Sequence, residues 1–148
     1  MDEEKVKEIV SNMLFFNGKK DVSIDEIALI QPGLARIMPE IADRTWKLYY
    51  TAKEGCWDYA IYQWKEAKKL FELGALVRPK HEEAIEEYLR DDWSKLEGPL
   101  RDQDFASFDK HFAEAIDSAN AWHEQKDKGY IKWKLPDYPP PDLDLTHR

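Results

Sequence analysis

The sequence has a single cysteine, so no intramolecular disulfide can form. It also lacks a run of about 18 apolar residues, the length that a helix needs to span a membrane. Its opening, MDEEKVKE, has neither the basic start nor the apolar run of a secretory signal. These absences predict a cytoplasmic protein that makes no membrane contact.

Excess positive charge is also missing, since the formal net charge is −8. Nonspecific binding to nucleic acid needs a basic surface that displaces counterions, so this charge argues against a nucleic-acid partner. One stretch, residues 126–134, is locally basic, with four lysines against one aspartate. We interpret this stretch as a solvated edge, and a phosphate or RNA contact is the alternative.

Motifs for catalysis are lacking as well. The chain contains no glycine-rich phosphate loop, no Gly-x-Ser-x-Gly, and none of the Glu-x-x-His pairs that di-iron bundles use. Cys56 is predicted near a helix N-terminus, where a thiol can be activated, but a structural or incidental thiol is the favoured interpretation. The sequence therefore favours a protein that is not an enzyme, with an unrecognised catalytic site as the weaker alternative.

What the chain does contain is apolar periodicity, with 43% hydrophobic and 13% aromatic residues in 148 positions. Steps of three and four residues predict helices over residues 2–16, 34–53, 57–76, 81–96 and 104–128, and no strand is predicted. Ser23 and Glu26 have the spacing of a capping box. The proline-rich end cannot continue a helix and predicts an extended segment.

The predicted fold class is therefore all-α. We expect a four-helix bundle with an extra N-terminal helix and an extended C-terminal strap that packs partly back over the bundle. The whole chain is predicted to be one domain. Its parts are an N-terminal helix and connector (residues 1–31), the bundle (residues 32–128) and the tail (residues 129–148).

The last predicted helix carries the most informative pattern. Its apolar stripe begins at Phe105, continues at helical spacing through Phe112, and closes on a histidine, His123, with Trp122 beside it. A histidine there is either a metal or haem ligand or a half-buried side chain bonded across the bundle. Asp104 is expected to cap the helix.

Aromatic residues allow two interpretations as well. They either wall a flat hydrophobic pocket or form the packed core, and the core is favoured because aromatics contribute most to core burial. Met38 would be a gap filler by default. The residues concerned are Tyr49, Trp57, Trp64, Phe108, Phe112 and Trp122.

Several short segments follow one another in a characteristic order. They are Pro32-Gly33-Leu34 with Ile37-Met38; Arg44 with Lys47-Leu48-Tyr49; Trp57, Ala60 and Tyr62; Phe108 and Phe112 before Ala119-Asn120-Ala121-Trp122-His123; and Tyr130-Ile131 before the prolines at 136 and 139–141. Together they resemble a family of small helical cytochrome c-like proteins. In that family a Cys-Asn-x-Cys-His motif attaches haem covalently.

The resemblance implies the bundle fold, but the absence of the two motif cysteines excludes covalent attachment of haem. Ala119 and Trp122 stand where the two thiols would be, and only His123 remains of the attachment motif. If haem binds without a covalent bond, the resemblance makes His123 its ligand and the one candidate for metal binding. It suggests Met38 as a second ligand. The alternative is that Trp122 fills the space of the porphyrin.

The sequence is compatible with two functions. The first is a non-enzymatic cytochrome c-like bundle that binds non-covalent haem or another small hydrophobic ligand in its core. The second is an interaction or homodimerisation module without a cofactor, since tryptophans are common anchors of interfaces. The candidate ligand-binding residues are His123, Met38, Trp122, Trp64, Tyr49 and Phe112.

Overall fold

The computed structural model describes residues 2–146 and confirms the all-α class, because a two-stranded sheet is the one departure from helix among its regular elements. The residues group into two compact units. The N-terminal unit ends at Pro32 and the helical unit begins at Gly33. The sequence had placed a boundary between parts of a single domain at nearly the same position. Within the described residues no helix is long and apolar enough to cross a membrane.

The N-terminal unit contains two short helices and a β-hairpin. The predicted helix over residues 2–16 is wrong after Ser11, where α1 ends and the following apolar residues form a strand. The two strands pair antiparallel, with Leu14 opposite Ser23. The elements are α1 (Glu3–Ser11), β1 (Leu14–Phe16), β2 (Asp21–Ser23) and α2 (Ile24–Leu29).

The turn at Asn17 explains why a strand replaces the helix. The Asn17 Oδ1 atom accepts hydrogen bonds from the backbone N–H groups of Lys19 and Lys20, both at 3.0 Å. Gly18 has a φ of 93°, a left-handed conformation that glycine adopts without steric cost. An Asn-Gly pair between apolar runs is a hairpin signal, and here it overrides helical periodicity. The predicted capping box of Ser23 and Glu26 is present at the start of α2.

The helical unit contains five α-helices and two short 3-10 turns in its described residues. Asp104 caps the last helix as predicted, because its side chain accepts a hydrogen bond from the Ser107 N–H at 3.1 Å. The helices are α3 (Leu34–Lys53), α4 (Trp57–Val77), α5 (Glu82–Asp91), α6 (Glu97–Asp102) and α7 (Phe105–Gln125), and the 3-10 turns are Pro79–His81 and Trp93–Leu96.

The predicted helix over residues 81–96 is confirmed over Glu82–Asp91 and is wrong beyond it, since a 3-10 turn follows at Trp93–Leu96. The reason is a pair of tryptophans. The Trp64 indole donates to the Trp93 carbonyl at 3.1 Å, and the Trp93 indole donates to the Trp64 carbonyl at 3.3 Å. Trp93 is only 1% exposed. The turn after α5 buries the large Trp93 side chain, whereas a continued helix would place this side chain at a different position.

The core of the helical unit follows the predicted stripe of α7. Phe108, Phe112 and Ala119 of this stripe are buried and belong to one hydrophobic cluster with residues of the other helices. Ile41 and Leu48 supply the α3 side and are fully buried. The interpretation of the apolar stripe as a core-facing surface is therefore confirmed.

After α7 the chain forms an extended strap. The Asn120 side chain joins the strap twice, donating to the Trp133 carbonyl at 2.9 Å and accepting from the Trp133 N–H at 2.7 Å. Trp133 and Leu135 pack against the core, whereas Tyr130 is 76% exposed. The prediction that the strap packs partly back over the bundle is confirmed in its first half, and this segment helps to form a pocket.

Candidate functional site

The helical unit contains a pocket of about 470 Å³, inside the range of about 300–1,000 Å³ that is common for small-molecule sites. The start of α3, the start of α5, the end of α7 and the strap surround it. The wall is mostly apolar and includes Leu34, Met38, Phe71, Ile85, Tyr88 and Trp122. The ionisable groups of the wall, tyrosine apart, are two histidines and two lysines: His81, His123, Lys126 and Lys128.

His123 lies in the wall near the end of α7. Its Nδ1 atom is 3.1 Å from the Ile131 carbonyl oxygen, which can only accept a hydrogen bond. In the neutral ring the proton therefore sits on Nδ1, and the lone pair remains on Nε2. Within residues 2–146 no protein group bonds Nε2. Trp133 packs edge-on against the ring, with the centroids 6.1 Å apart.

Burial favours this neutral form of His123. It lowers the pKa of His123 below its ordinary value, and the nearby Lys132 charge acts in the same direction. The hydrogen bond to the Ile131 carbonyl opposes the shift without reversing it. A neutral imidazole with a free nitrogen can bind a metal ion or accept a hydrogen bond from a ligand.

A sharp turn after α7 brings the strap to this histidine. Asp127 has a φ of 57°, in the left-handed region, and the next residue donates its N–H to the His123 carbonyl at 2.8 Å. Asp and Asn adopt this conformation more readily than other non-glycine residues. The reversal lets Ile131 and Trp133 lie alongside the last turns of α7.

Of the six predicted ligand-binding residues, three line this one pocket. Met38 reaches it from the second turn of α3, and Trp122 and His123 reach it from α7. All three are half-buried. The pocket is present with the Trp122 side chain in its wall, so the tryptophan does not fill this space.

The other three predicted residues do not line the pocket. Trp64 is bonded to Trp93 in the core. Phe112 is 3% exposed, and its ring centroid lies 4.9 Å from that of Tyr49. The Tyr49 hydroxyl donates to Asp109 at 2.9 Å, and burial together with this carboxylate raises the pKa of Tyr49 to about 12. Their positions match the favoured interpretation, that these aromatic residues form the packed core.

Seven polar or aromatic residues of the wall were not predicted as ligand-binding. The sequence gives His81 no ligand-binding motif, and it predicts Lys126 and Lys128 to be part of a solvated edge. Burial lowers the pKa of His81, and the charges of Lys80 and Lys126 lower it further. No local signal places His81 next to the end of α7. The unpredicted residues are Phe71, His81, Tyr88, Lys126, Lys128, Tyr130 and Trp133.

Within residues 2–146, no group of three or more His, Cys, Asp or Glu side chains is placed to hold a metal ion. A macrocycle that brings its own metal needs fewer protein ligands. Cys56 is buried and is not in the pocket wall, so the pocket offers no thiol for a thioether bond.

Comparison with known proteins gives no relative for this chain. No protein-family model, no curated protein and no solved structure matches it. The resemblance to cytochrome c-like proteins therefore stays a prediction from the sequence, and the site is interpreted from its own geometry.

Proposed function

We propose that this protein is a non-enzymatic helical protein that binds a flat, apolar small molecule in the pocket at the end of α7. The ligand proposed first is non-covalent haem, which the sequence resemblance implies. A mostly apolar wall of about 470 Å³ supports a small hydrophobic ligand in general. The hydrogen bond of His123 supports haem in particular.

That hydrogen bond is the observation on which the proposal rests. Metal-ligating histidines usually donate their second ring N–H to a carbonyl or carboxylate, which fixes the ring and its tautomer. His123 makes this bond through Nδ1 to the Ile131 carbonyl at 3.1 Å. It therefore presents an unprotonated Nε2 in the wall of an apolar pocket.

The donor set also fits haem. A histidine nitrogen and a methionine sulfur are the axial ligands of many cytochromes, and both His123 and Met38 line the pocket. Bound haem would supply one-electron redox chemistry at its iron. The protein's part would be to hold the macrocycle, exclude water with its apolar wall, and supply these two donors.

We expect that filling the pocket will prevent binding of any apolar ligand. Ala84 lines the pocket and is partly buried, so Ala84→Phe places a ring in the space that a ligand needs. Binding of the neutral probe N-phenyl-1-naphthylamine, followed by fluorescence, should weaken by about tenfold or more, because such pockets bury most of their ligand's surface.

The matched control is Ala113→Phe, which adds the same ring at an exposed position of α7 outside the pocket. It should leave the dissociation constant unchanged. Equal binding by wild type and Ala84→Phe would show that the probe binds elsewhere. Absence of wild-type binding by both this probe and its anionic counterpart, 8-anilinonaphthalene-1-sulfonate, would remove the proposed ligand-binding function.

Association between copies is a second candidate, and the N-terminal unit is the observation that favours it. None of its helices contains a buried residue, and Leu14, Phe16 and Leu29 are 62%, 70% and 83% exposed. Large exposed apolar groups are typical of surfaces that bind partners. Sedimentation equilibrium over a wide concentration range separates the candidates, since a constant monomer mass would exclude self-association.

A further inference from the structure

Two exposed lysines, Lys126 and Lys128, line the pocket, and we call this edge of the pocket its mouth. The Lys126 ammonium lies 5.8 Å from the centre of the Trp122 ring, and the Lys128 ammonium lies 5.6 Å from the centre of the Tyr130 ring. Both rings belong to the pocket wall. The lysine stems thus extend along the apolar wall while the charged ends stay exposed, as long basic side chains commonly do.

Within residues 2–146 neither lysine has a carboxylate partner, although acidic residues outnumber basic ones by 30 to 22. The next lysines along the strap are paired, Lys132 with Glu124 and Lys134 with Asp137. Asp127 lies between the two unpaired lysines in sequence but is not part of the wall. The positive charge at the mouth is therefore not neutralised there by an ion pair.

Two carbonyl groups at the end of α7 already have backbone donors. The Trp122 carbonyl accepts from the Lys126 N–H at 3.0 Å, and the His123 carbonyl accepts from the Lys128 N–H at 2.8 Å. Both carbonyl groups are therefore satisfied without the lysine ammonium groups. The positive charge of Lys126 also acts on a residue of the pocket wall, because it lowers the pKa of His81.

We propose that the pocket selects ligands that carry a carboxylate, and that Lys126 and Lys128 bind this group at the mouth while the apolar part of the ligand occupies the interior. This inference rests on the proposed ligand-binding function and names its ligand class. An apolar acid satisfies both parts of the site, whereas a neutral hydrocarbon leaves the two charges unused. Haem, with its propionates, and a long-chain fatty acid share this chemistry.

The test uses two fluorescent probes with the same ring system. 8-Anilinonaphthalene-1-sulfonate carries an anionic group, and N-phenyl-1-naphthylamine lacks it. The wild type should bind the anionic probe more tightly, and added salt should reduce that preference because it screens exposed charges. The variant Lys126→Gln/Lys128→Gln should bind the anionic probe about tenfold more weakly, since each exposed ion pair contributes up to about fivefold. Its affinity for the neutral probe should not change.

The charge-matched control is Lys65→Gln/Lys110→Gln, which removes two exposed lysines outside the pocket. This variant should retain the preference of the wild type. If both probes bind the wild type equally, or if both double variants behave alike, the anion inference is wrong while ligand binding stands. If neither probe binds the wild type, the proposed function fails together with the inference.

Displacement then identifies the source of the carboxylate. Haemin and hexadecanoate are titrated separately against wild-type protein carrying the sulfonate probe. Displacement by haemin alone supports a macrocyclic acid, and displacement by hexadecanoate alone supports a fatty acid. If neither carboxylate displaces the probe, the assignment of a carboxylate ligand is overturned.

Discussion

Replacing Phe112 with alanine is expected to lower the free energy of unfolding of the helical unit by about 3–5 kcal/mol, the usual cost of emptying a large buried aromatic site. Phe112 is 3% exposed, and its ring centroid is 4.9 Å from Tyr49 and 5.6 Å from Phe108. The neighbouring rings cannot close such a cavity without losing their own contacts. Urea unfolding followed by circular dichroism measures the change.

The control for Phe112→Ala is Tyr138→Ala in the strap, where the aromatic side chain is 81% exposed. Its truncation should change the free energy of unfolding by less than about 0.5 kcal/mol, as is usual for surface substitutions. A loss below about 1 kcal/mol for Phe112→Ala would contradict the placement of the α7 stripe in the core.

His123→Ala should weaken haemin binding by at least about 100-fold. Loss of an outer partner of a metal-ligating histidine costs about 10–100-fold, and loss of the ligand itself should cost no less. Absorbance in the Soret region follows the titration. His111→Ala is the control, because His111 pairs with Glu114 at 3.0 Å and does not line the pocket.

The far-ultraviolet circular dichroism of His123→Ala should match that of the wild type, since the residue is near the end of α7 and only half-buried. A folded variant that no longer shifts the Soret band would make His123 the ligand. Equal haemin affinity in the variant and the wild type would exclude that role.

Much of the helical unit could be predicted because its signals are local. Asp104 marks the start of α7, and the apolar steps that follow it fix which face is buried. Ser23 and Glu26 likewise mark the start of α2. Caps and periodicity report on neighbouring residues of one segment, so a single sequence is enough to read them.

The two errors have different origins. The hairpin at Asn17-Gly18 has a local signal, but the apolar residues before it also recur at helical spacing, so the sequence supports both structures. The end of α5 has no local signal, because neither Pro nor Gly stands at residues 91–93. The chain turns there because Trp93 and Trp64 exchange hydrogen bonds across 29 positions of sequence, a tertiary effect that overrides local propensity.

The candidate site was only half predictable for the same reason. His123 and Trp122 adjoin in sequence, and the family resemblance added Met38. Lys126 and Lys128 line the same pocket, with a left-handed turn at Asp127 between them. No pattern in the sequence predicts this turn. Basic residues that looked like a solvated edge thereby become the mouth of a pocket.

The most direct test of the account is to ask whether haemin reaches the pocket, and methionine supplies the probe. With methionine methyl groups labelled with carbon-13, Met38 reports from the pocket wall. Met38→Leu assigns the resonance. Bound ferric haem is paramagnetic, so we expect the Met38 signal to shift or disappear when haemin just saturates the wild type, and to persist in His123→Ala at the same haemin concentration. An unchanged Met38 signal in the wild type, or equal loss in the wild type and His123→Ala, would contradict a specific ligand site in this pocket.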